Sequence, residues 1–471
     1  MNKSSGPSSI QFIIPLVMLL VLILGLSYMI PELTATQAFA IGGGVAVFIV
    51  CLASTEAALY ILIFSMLLSP EFIVGTTEGA SLGRGVTLRA DDFLILLIGL
   101  TWIAKMAVNK ELGLFLRTPL NKPIAYYIVI CLISTLIGAL FLKVDLKTGF
   151  FFVLKYFEYT LVYFMVVNHL KTMKQARTYL WALLITCAIV SVLGILQVPE
   201  GGRVSAPFEG EVGEPNTFGG YLVFMISITA GLLLTTTSFR LQMIYGFLTT
   251  LFIIPLLLTG SRSSYLGIIF VALAFLWLSE KRRVVLIGLV ILGLLIPFVA
   301  PKTLTQRASF TFQQREQRGQ IKVGGARIDT STAARLQSWA NISRDFVKHP
   351  VLGFGVTGYG FVDAQYFRVL IETGLIGLFI FLILLSSIFR LTHRIVKEVD
   401  EPFDKGLSMG FLAGFIGLLV HAVGSNTFII VRIMEPFWFV LAMVVMLPDL
   451  ETETPEASGA ESIAHGKKRV R

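Results

Sequence analysis

The chain has 471 residues, of which 14% are charged and 55% are hydrophobic, and its mean hydropathy is +0.81. A soluble protein usually carries about a quarter charged residues, so this composition excludes a soluble enzyme. The apolar residues form many runs of about 20, the length that crosses a hydrocarbon core of about 30 Å, which excludes a single-span receptor. The net charge of +9 does not predict nucleic-acid binding, because membrane proteins retain basic residues in their cytoplasmic loops.

The apolar runs predict fourteen membrane helices and an all-α polytopic membrane protein. In chain order the helices lie near residues 10–31, 37–54, 56–74, 91–109, 122–142, 148–168, 177–198, 217–235, 240–259, 263–279, 282–300, 365–390, 404–424 and 428–447. The first run is too long for a signal-peptide core and lacks a cleavage site, so we expect it to be retained. The predicted segments are membrane helices 1–11 in residues 1–300, one large loop in 301–364, helices 12–14 in 365–447, and a polar, disordered tail in 448–471.

Lysines and arginines in the short loops predict the orientation of these helices. With a cytoplasmic N-terminus, 20 basic residues fall in cytoplasmic loops and tails and six fall in the short outer loops. Basic residues are retained in the cytoplasm, so both termini are predicted to be cytoplasmic. The large loop 301–364 then lies outside.

The three cysteines, Cys51, Cys131 and Cys187, each lie in an apolar run. Disulfide and zinc frameworks need closely spaced, accessible thiols, so these cysteines are interpreted as packing residues. No metal site and no cofactor is predicted.

Two short outer segments carry candidate binding residues. Segment 199–220 is rich in turn formers and contains Arg203 among four acids; this arginine is either solvated or functional. Asn216 is interpreted as the N-cap of the following helix, with Pro215 fixing the approach of the chain. The hairpin 259–264 contains Arg262 among serines, and this arginine either extends to lipid head groups or binds phosphate through its paired donors.

The large loop ends in a predicted amphipathic helix and a glycine-rich segment. The helix runs from about Ser331 to Lys348 and is stopped by Pro350. Its apolar side holds Leu336, Trp339, Ile342 and Phe346, and its polar side holds Arg335, Arg344 and Lys348. Such a helix is expected to lie on the membrane surface. The four glycines of 353–360 follow no strand, which excludes a dinucleotide site and predicts a loop that bends close to a ligand or a neighbouring helix.

The start of the twelfth helix carries ionisable groups, which are costly at membrane depth and face a cavity or a partner. Asp363, Arg368 and Glu372 are therefore functional candidates, and Arg368 and Glu372 are spaced to pair with each other. Gly374 and Gly377 are predicted to permit close helix packing.

Other intramembrane charges occur in pairs three residues apart. Lys155 with Glu158, and Arg432 with Glu435, are interpreted as self-neutralised structural pairs, with a transport relay as the alternative. His421 and Asn426, near the outer end of the thirteenth helix, are weaker candidates.

Four features in the right order resemble the O-antigen ligase and polymerase superfamily of bacterial envelope glycosyltransferases. They are an arginine followed by a Pro-Asn-x-x-Gly element (Arg203, Pro215, Asn216, Gly219), a Ser-Arg hairpin (Ser261, Arg262), an Arg-x-x-x-Trp…His-Pro-x-x-Gly-x-Gly stretch (Arg335, Trp339, His349, Pro350, Gly353, Gly355), and a Glu-x-Gly-x-x-Gly element (Glu372, Gly374, Gly377). Together these features cover about residues 200–380. Each motif alone is weak, whereas the ordered set is fairly specific.

The resemblance implies a metal-independent type-C glycosyltransferase in the bacterial inner membrane. Its donor is a glycan on undecaprenyl diphosphate, its acceptor is another glycan, and a flippase and a chain-length regulator are further expected partners beside the bilayer. The expected diphosphate- or glycan-binding residues are Arg203, Asn216, Arg262, Arg335 and Arg368. Because the attacking sugar hydroxyl must lose its proton to a carboxylate or imidazole, the candidate catalytic residues are Asp363, Glu372 and His349.

Asp363 stands where ligases of this superfamily tend to carry a histidine, eleven residues before Gly374. An acid at this position resembles the polymerases of surface and exopolysaccharides, so polymerisation of lipid-linked repeat units is the expected function and ligation of O-antigen to lipid A core is the alternative. Asp363 is the expected proton acceptor, with His349 capping the preceding helix. A secondary transporter is the competing class, but the chain halves show no clear similarity and the large outer loop has no role in transport.

Overall fold

The computed structural model describes residues 46–450 except 48, 52, 70, 77–84, 110–115, 142, 201, 208–212, 300–321, 324–325, 328–329 and 361. The predicted first helix, most of the second, most of the large loop and residues 451–471 of the predicted tail lie outside this part of the chain. The first residues of that tail, which we predicted to be disordered, continue a 3-10 helix, Leu447–Asp449.

The described residues are almost entirely helical. The helices are α1 (Thr55–Leu68), α2 (Ala90–Asn109), α3 (Asn121–Leu140), α4 (Leu146–His169), α5 (Met173–Leu196), α6 (Pro215–Thr235), α7 (Phe239–Leu258), α8 (Arg262–Leu278), α9 (Arg282–Val299), α10 (Thr330–Asp345), α11 (Gln365–Glu398), α12 (Pro402–His421) and α13 (Val431–Met446). Two short antiparallel hairpins complete the regular structure: β1 (Glu71–Thr76) with β2 (Gly85–Arg89), and β3 (Lys322–Val323) with β4 (Ala326–Arg327).

Eight helical segments of the described part are long and apolar enough to cross a membrane. They are α3 to α7, α11, α12 and the segment Val431–Asp449, while α1 and α8 are apolar but shorter. From residue 90 onward, each predicted membrane helix coincides with a helix of the structure, and most ends agree to within a few residues. The C-terminal end of the twelfth is the exception, because α11 continues to Glu398.

The predicted third helix, 56–74, is wrong at its C-terminal end. The helix stops at Leu68, and residues 71–76 form β1. Ser69 has extended backbone angles, φ −74° and ψ 137°, as expected for a residue that precedes a proline. The Ser69 hydroxyl donates a hydrogen bond to Asp91 at 2.7 Å, which holds the end of α1 against the start of α2.

Helices α6 and α12 pack closely at the centre of the bundle. Gly231 of α6 faces the Gly406 carbonyl and Gly410 of α12, where an added Cβ would collide with backbone atoms. Small residues let helix backbones approach in the absence of a hydrophobic driving force between lipid-embedded helices. The segment Val431–Asp449 lies beside them. It is the most enclosed candidate span of the described part, because 89% of its apolar 18-residue stretch is buried.

Helix α11 is broken at Gly374, whose backbone has φ 67° and ψ −168°. The glycine-rich segment that precedes α11 fills the break. Phe354 N–H donates to the Ile371 carbonyl at 2.9 Å, Gly355 N–H to the Glu372 carbonyl at 2.8 Å, and Leu375 N–H to the Pro350 carbonyl at 2.9 Å. Backbone groups at membrane depth must be satisfied within the protein, so these bonds make the interruption tolerable.

The function predicted for Gly374 therefore needs refinement. The residue permits close approach, as expected, but its neighbour is the loop at Val351 rather than a second helix. Gly353 likewise faces backbone atoms of Glu372. The loop and the broken helix form one interlocked unit, which agrees with the predicted loop that bends close to a neighbouring helix.

Gly374→Ala should lower the stability of the folded protein. An alanine at φ 67° and ψ −168° occupies a backbone region that is essentially restricted to glycine and costs about 1–3 kcal/mol, and its Cβ would also collide with the Val351 carbonyl. We expect a Tm several degrees below that of the wild type in thermal unfolding of detergent-purified protein.

Gly288→Ala is the matched control, because no heavy atom lies within 4 Å of the added Cβ and alanine favours a helix interior. Equal Tm values for the two variants would contradict the role assigned to Gly374.

Candidate functional site

A tight hairpin joins α7 to α8 and presents Arg262 at the first position of α8. Gly260 makes the turn with φ 59°. The Ser261 hydroxyl caps the helix by accepting hydrogen bonds from Ser264 N–H at 3.3 Å and from the Ser264 hydroxyl at 2.8 Å. The Arg262 side chain is exposed beside these capped amides. A helix N-terminus favours negative charge, so this hairpin offers both a cation and a helix end to an anion.

Arg203 is bound to the same hairpin. Its Nε donates to the Thr259 carbonyl at 2.8 Å, and one Nη lies 3.5 Å from the Gly260 carbonyl and 3.4 Å from Asn216 Oδ1. The adjacent Val204 N–H donates to the Leu258 carbonyl at 3.3 Å. The arginine is exposed yet fixed, so segment 202–207 and the hairpin form one basic unit.

The predicted N-cap role of Asn216 is wrong. Helix α6 begins at Pro215, the cap position is Glu214 without a side-chain cap bond, and Asn216 is the second helical residue. Proline favours the first helical position because it lacks an N–H group, and the helix starts two residues earlier than predicted, at Pro215. The Asn216 amide oxygen instead faces Arg203.

Residues 422–428, which connect α12 to α13, link this hairpin to the start of α11. On one side, Gly424 lies against Ser263, where an added Cβ would be 2.6 Å from the Ser263 hydroxyl. On the other side, Asn426 Nδ2 donates to the Val362 carbonyl at 2.6 Å. Gln365 N–H donates to the Ala422 carbonyl at 3.1 Å. The hairpin and the residues around Asp363 therefore lie at one end of the bundle, here called the hairpin end.

Asp363 forms an ion pair with Arg335, with Nη to Oδ2 at 3.0 Å. The two side chains are 27% and 22% exposed. Asp363 lies just before α11, as predicted from the sequence, but its pairing with Arg335 was not predicted. The two residues are 28 positions apart, and they meet because α10 packs across the start of α11.

The apolar side of α10, which we expected to face the membrane surface, packs on α11 and the glycine-rich loop; the position of α10 relative to the membrane stays a prediction. Ile342 is fully buried, and the Trp339 ring stacks on Phe367 with centroids 4.9 Å apart. Burial of aromatic and aliphatic groups against α11 stabilises this position. The polar side supplies Arg335 to Asp363.

Two further contacts hold α10 and the 3-10 helix Phe346–Lys348 to the glycine-rich loop. Asp345 accepts hydrogen bonds from Lys348 Nζ at 2.6 Å and from the Tyr359 hydroxyl at 2.8 Å, and these two donors hold the pKa of the Asp345 carboxyl below its ordinary value. Burial and the bond to Asp345 raise the pKa of Tyr359 to about 12. The His349 ring meets the Phe354 ring edge to face, with centroids 4.6 Å apart. The backbone N–H of His349 donates a hydrogen bond to the Phe346 carbonyl.

Arg368 and Glu372 form the internal pair that their spacing predicted. Arg368 Nε lies 3.0 Å from Glu372 Oε1, and the same oxygen accepts a hydrogen bond from Thr357 N–H at 3.1 Å. Thr357 has φ 68°, a conformation that residues other than glycine rarely adopt. Glu372 thus fixes a strained turn of the loop, and Arg368 also lies over the Phe152 ring.

The two intramembrane pairs behave differently from each other. Lys155 lies 3.2 Å from Glu158, as predicted, and also contacts Asp92. The predicted pair of Arg432 with Glu435 is wrong. Glu435 faces Arg89 at 3.8 Å.

Arg432 instead donates to three backbone carbonyls, those of Leu67 at 3.0 Å, Pro207 at 2.9 Å and Ser69 at 3.3 Å. The carbonyls at the C-terminal end of a helix have no intrahelical donor, so those of Leu67 and Ser69 at the end of α1 are available to this guanidinium.

The sequence did not indicate that His421 and Arg89 are buried. The His421 ring is fully buried, with Nδ1 2.7 Å from the Thr427 hydroxyl, and it lies within electrostatic range of Arg335 and the Asn216 backbone. Arg89 is 4% exposed, although its position after a Gly-containing loop suggested an ordinary surface residue. Only the packing of α2 against α4 and α13 brings it into the interior.

The fold is a bundle of apolar helices with arginines, a buried histidine and a carboxylate gathered at one end. This arrangement defines a multi-pass membrane protein with charged groups gathered at its hairpin end.

Residues 247–382 match the family model described as O-antigen ligase. The matched segment runs from α7 through the Arg262 hairpin, α10 and the glycine-rich loop into the broken helix α11. It confirms the resemblance to the O-antigen ligase and polymerase superfamily, and this family points to glycosyl transfer between a lipid-linked donor and an acceptor in a membrane. None of the curated proteins compared with the chain matches it.

Proposed function

We propose that the protein is a polysaccharide polymerase of the bacterial inner membrane. It joins oligosaccharide repeat units carried on undecaprenyl diphosphate into surface polysaccharide or exopolysaccharide at the periplasmic face. The observation that carries this proposal is the connection, through residues 422–428, between the arginine-bearing hairpin and the Arg335–Asp363 pair. One end of the bundle thereby holds both groups that the reaction needs.

The hairpin binds the diphosphate of the donor. Arg262 offers a planar fork of donors that matches phosphate oxygens, and the N-terminus of α8 adds the positive end of its helix dipole. Arg203 supports the hairpin through the Thr259 carbonyl and adds a second positive charge. As the bond between the sugar and the diphosphate breaks, these fixed charges stabilise the negative charge on the leaving group.

Asp363 accepts the proton of the attacking sugar hydroxyl. The acceptor oxygen forms a bond to the anomeric carbon of the donor, the bond from that carbon to the diphosphate breaks, and the hydroxyl proton moves to the carboxylate. Arg335 holds the Asp363 carboxylate through their ion pair before the substrates arrive. Because Arg335 lies beside the carboxylate, it also orients Asp363 and can share its charge with the departing diphosphate.

Glu372, Arg368 and His349 act as positioning residues in this scheme. The Glu372 carboxylate is engaged by both Arg368 and the Thr357 N–H group, and it is 5% exposed. His349 is held at the end of the 3-10 helix against Phe354. Each of them stabilises the loop and helix start that carry Asp363.

The function requires the hairpin end to face the periplasm, and fourteen membrane helices with both termini in the cytoplasm are the predicted topology that places it there. A topology reporter fused after Glu316 should therefore be periplasmic, and one fused after Lys397 should be cytoplasmic. The loop charge count, 20 basic residues against six, is the reason for this expectation. A cytoplasmic location of the Glu316 fusion would place the candidate site on the wrong side of the membrane.

The glycan profile of a deletion strain distinguishes polymerase from ligase. Single lipid-linked repeat units imply a lost polymerase, whereas long chains that remain on the carrier imply a lost O-antigen ligase. Unchanged glycans would support a secondary transporter. The aspartate at position 363, where ligases of the superfamily tend to carry histidine, favours the polymerase, which would then act with a flippase and a chain-length regulator.

A further inference from the structure

A second group of charged residues lies inside the bundle, where α2, α4 and α13 meet. Four carboxylates, Asp91, Asp92, Glu158 and Glu435, surround two cations, Arg89 and Lys155. Arg89 lies 2.7 Å from Asp91, and Lys155 contacts Asp92 and Glu158. With every group ionised the cluster has two surplus negative charges, and charge at membrane depth must be compensated.

Several carboxylate oxygens of this cluster lack a donor. Glu435 is fully buried, and neither of its oxygens has a hydrogen-bond partner. Asp92 Oδ1 and Glu158 Oε1 are likewise without one. An unpartnered buried carboxylate is expensive, and here the unpartnered carboxylate of Glu435 points into the group formed by the other acids.

The spacing of these oxygens suits one bound ion. One carboxylate oxygen each from Asp91, Asp92 and Glu435 lies within 4.8 Å of the other two. Oxygen-only donor sets are the preference of hard cations such as Ca²⁺ and Mg²⁺. The described hydrogen bonds of the neighbouring Arg432 go to the carbonyls of Leu67, Ser69 and Pro207.

We propose that Asp91, Asp92 and Glu435 bind one divalent, oxygen-preferring cation, with Ca²⁺ as the type. Such an ion neutralises both surplus negative charges and links α2 to α13. Glu158 of α4 lies beside the ion. None of these residues belongs to the hairpin or to the Arg335–Asp363 pair, and the proposed glycosyl transfer uses no metal ion. Through Arg432, one turn before Glu435, the ion also stabilises the loop at Pro207, four residues after Arg203.

Terbium luminescence tests this proposal directly on purified full-length protein in lipid nanodiscs. Trp438 lies one turn after Glu435 on α13, so Tb³⁺ bound at the cluster should be excited through that indole. After treatment with a chelator, the wild type should give saturable Tb³⁺ emission that Ca²⁺ displaces. Trp438→Phe should lose most of the emission.

Thermal unfolding gives a second readout. Ca²⁺ at about 100 times its Kd should raise the Tm of the chelator-treated protein by roughly 5 °C, and Trp438→Phe should keep this shift. Glu435→Gln should lose both the emission and the shift.

The matched control is Glu280→Gln, which removes the same charge from an exposed position and should behave as the wild type. If Glu435→Gln fails to fold, the Tb³⁺ emission of Asp91→Asn and the Ca²⁺ titration of the wild type still test the proposed site. Emission that is absent from the wild type overturns the proposal. So does a Tm that responds to pH but not to Ca²⁺, which would mean that protons neutralise the cluster.

Discussion

Arg262→Lys should lower polymer formation by about 10²-fold or more, the range measured when one preorganised donor to a developing anion is removed. Lysine keeps the positive charge at the start of α8 but loses the paired donors that hold two phosphate oxygens. The amount of protein in the membrane should be normal, because the Arg262 side chain is exposed and the cap at Ser261 is unchanged. Polymer in membranes supplied with lipid-linked repeat units is the quantity to measure.

Arg240→Lys is the control for Arg262→Lys, since Arg240 is exposed at the opposite end of α7 and should tolerate the change.

Arg203→Ala should also abolish most activity. It removes a charge and releases the hairpin carbonyl of Thr259, so its membrane level has to be compared with that of Arg262→Lys. Near wild-type amounts of polymer from both variants would mean that Arg262 extends to lipid head groups and that Arg203 is only solvated.

Asp363→Asn should reduce polymer formation by roughly 10²-fold or more, the range expected when a general base is lost. Asparagine keeps the shape of the side chain and a hydrogen-bond acceptor for Arg335, so the packing of α10 on α11 should persist. The initial rate of polymerisation, normalised to membrane-inserted protein, measures the effect. A parallel gel-filtration profile of the purified variant separates lost chemistry from lost folding.

His349→Ala and Glu372→Gln are the informative comparisons for Asp363→Asn. His349→Ala should cost less activity, because the ring only packs against Phe354. Glu372→Gln should lower the stability of the loop at Thr357 more than the rate per folded molecule. Normal polymerisation by Asp363→Asn, together with an inactive His349→Ala or Glu372→Gln, would show that the proton acceptor is assigned to the wrong residue.

Hydropathy was sufficient to predict most of the helices. From α2 to α9 and from α11 to α13 the apolar runs coincide with helices because a helix satisfies every backbone group that lipid cannot. The end of α1 was predicted wrongly, although Ser69 precedes a proline, because the apolar residues 72–74 continue the hydrophobic run into what is β1. A continuous apolar stretch does not distinguish a helix from a short buried strand.

Local spacing predicted part of the candidate site. Arg368 with Glu372 follows from the geometry of one helix turn. Arg335 with Asp363 depends on how α10 crosses α11, and Arg432 with the carbonyls of Leu67 and Pro207 depends on three distant parts of the chain. Such contacts carry no periodic signal, and residues such as Arg89 are indistinguishable from ordinary loop residues until the helices are packed.

The hydrogen bonds of Arg432 also constrain the order in which the chain can mature. Helix α13 emerges from the ribosome after the other described helices and carries a guanidinium that is unfavourable in lipid until acceptors are available. Those acceptors, the carbonyls of Leu67, Ser69 and Pro207, belong to segments synthesised 365, 363 and 225 codons earlier. Helix α13 is therefore stable in the bilayer only when the preceding helices have already assembled around its position, which makes its insertion a check on the assembly of the bundle.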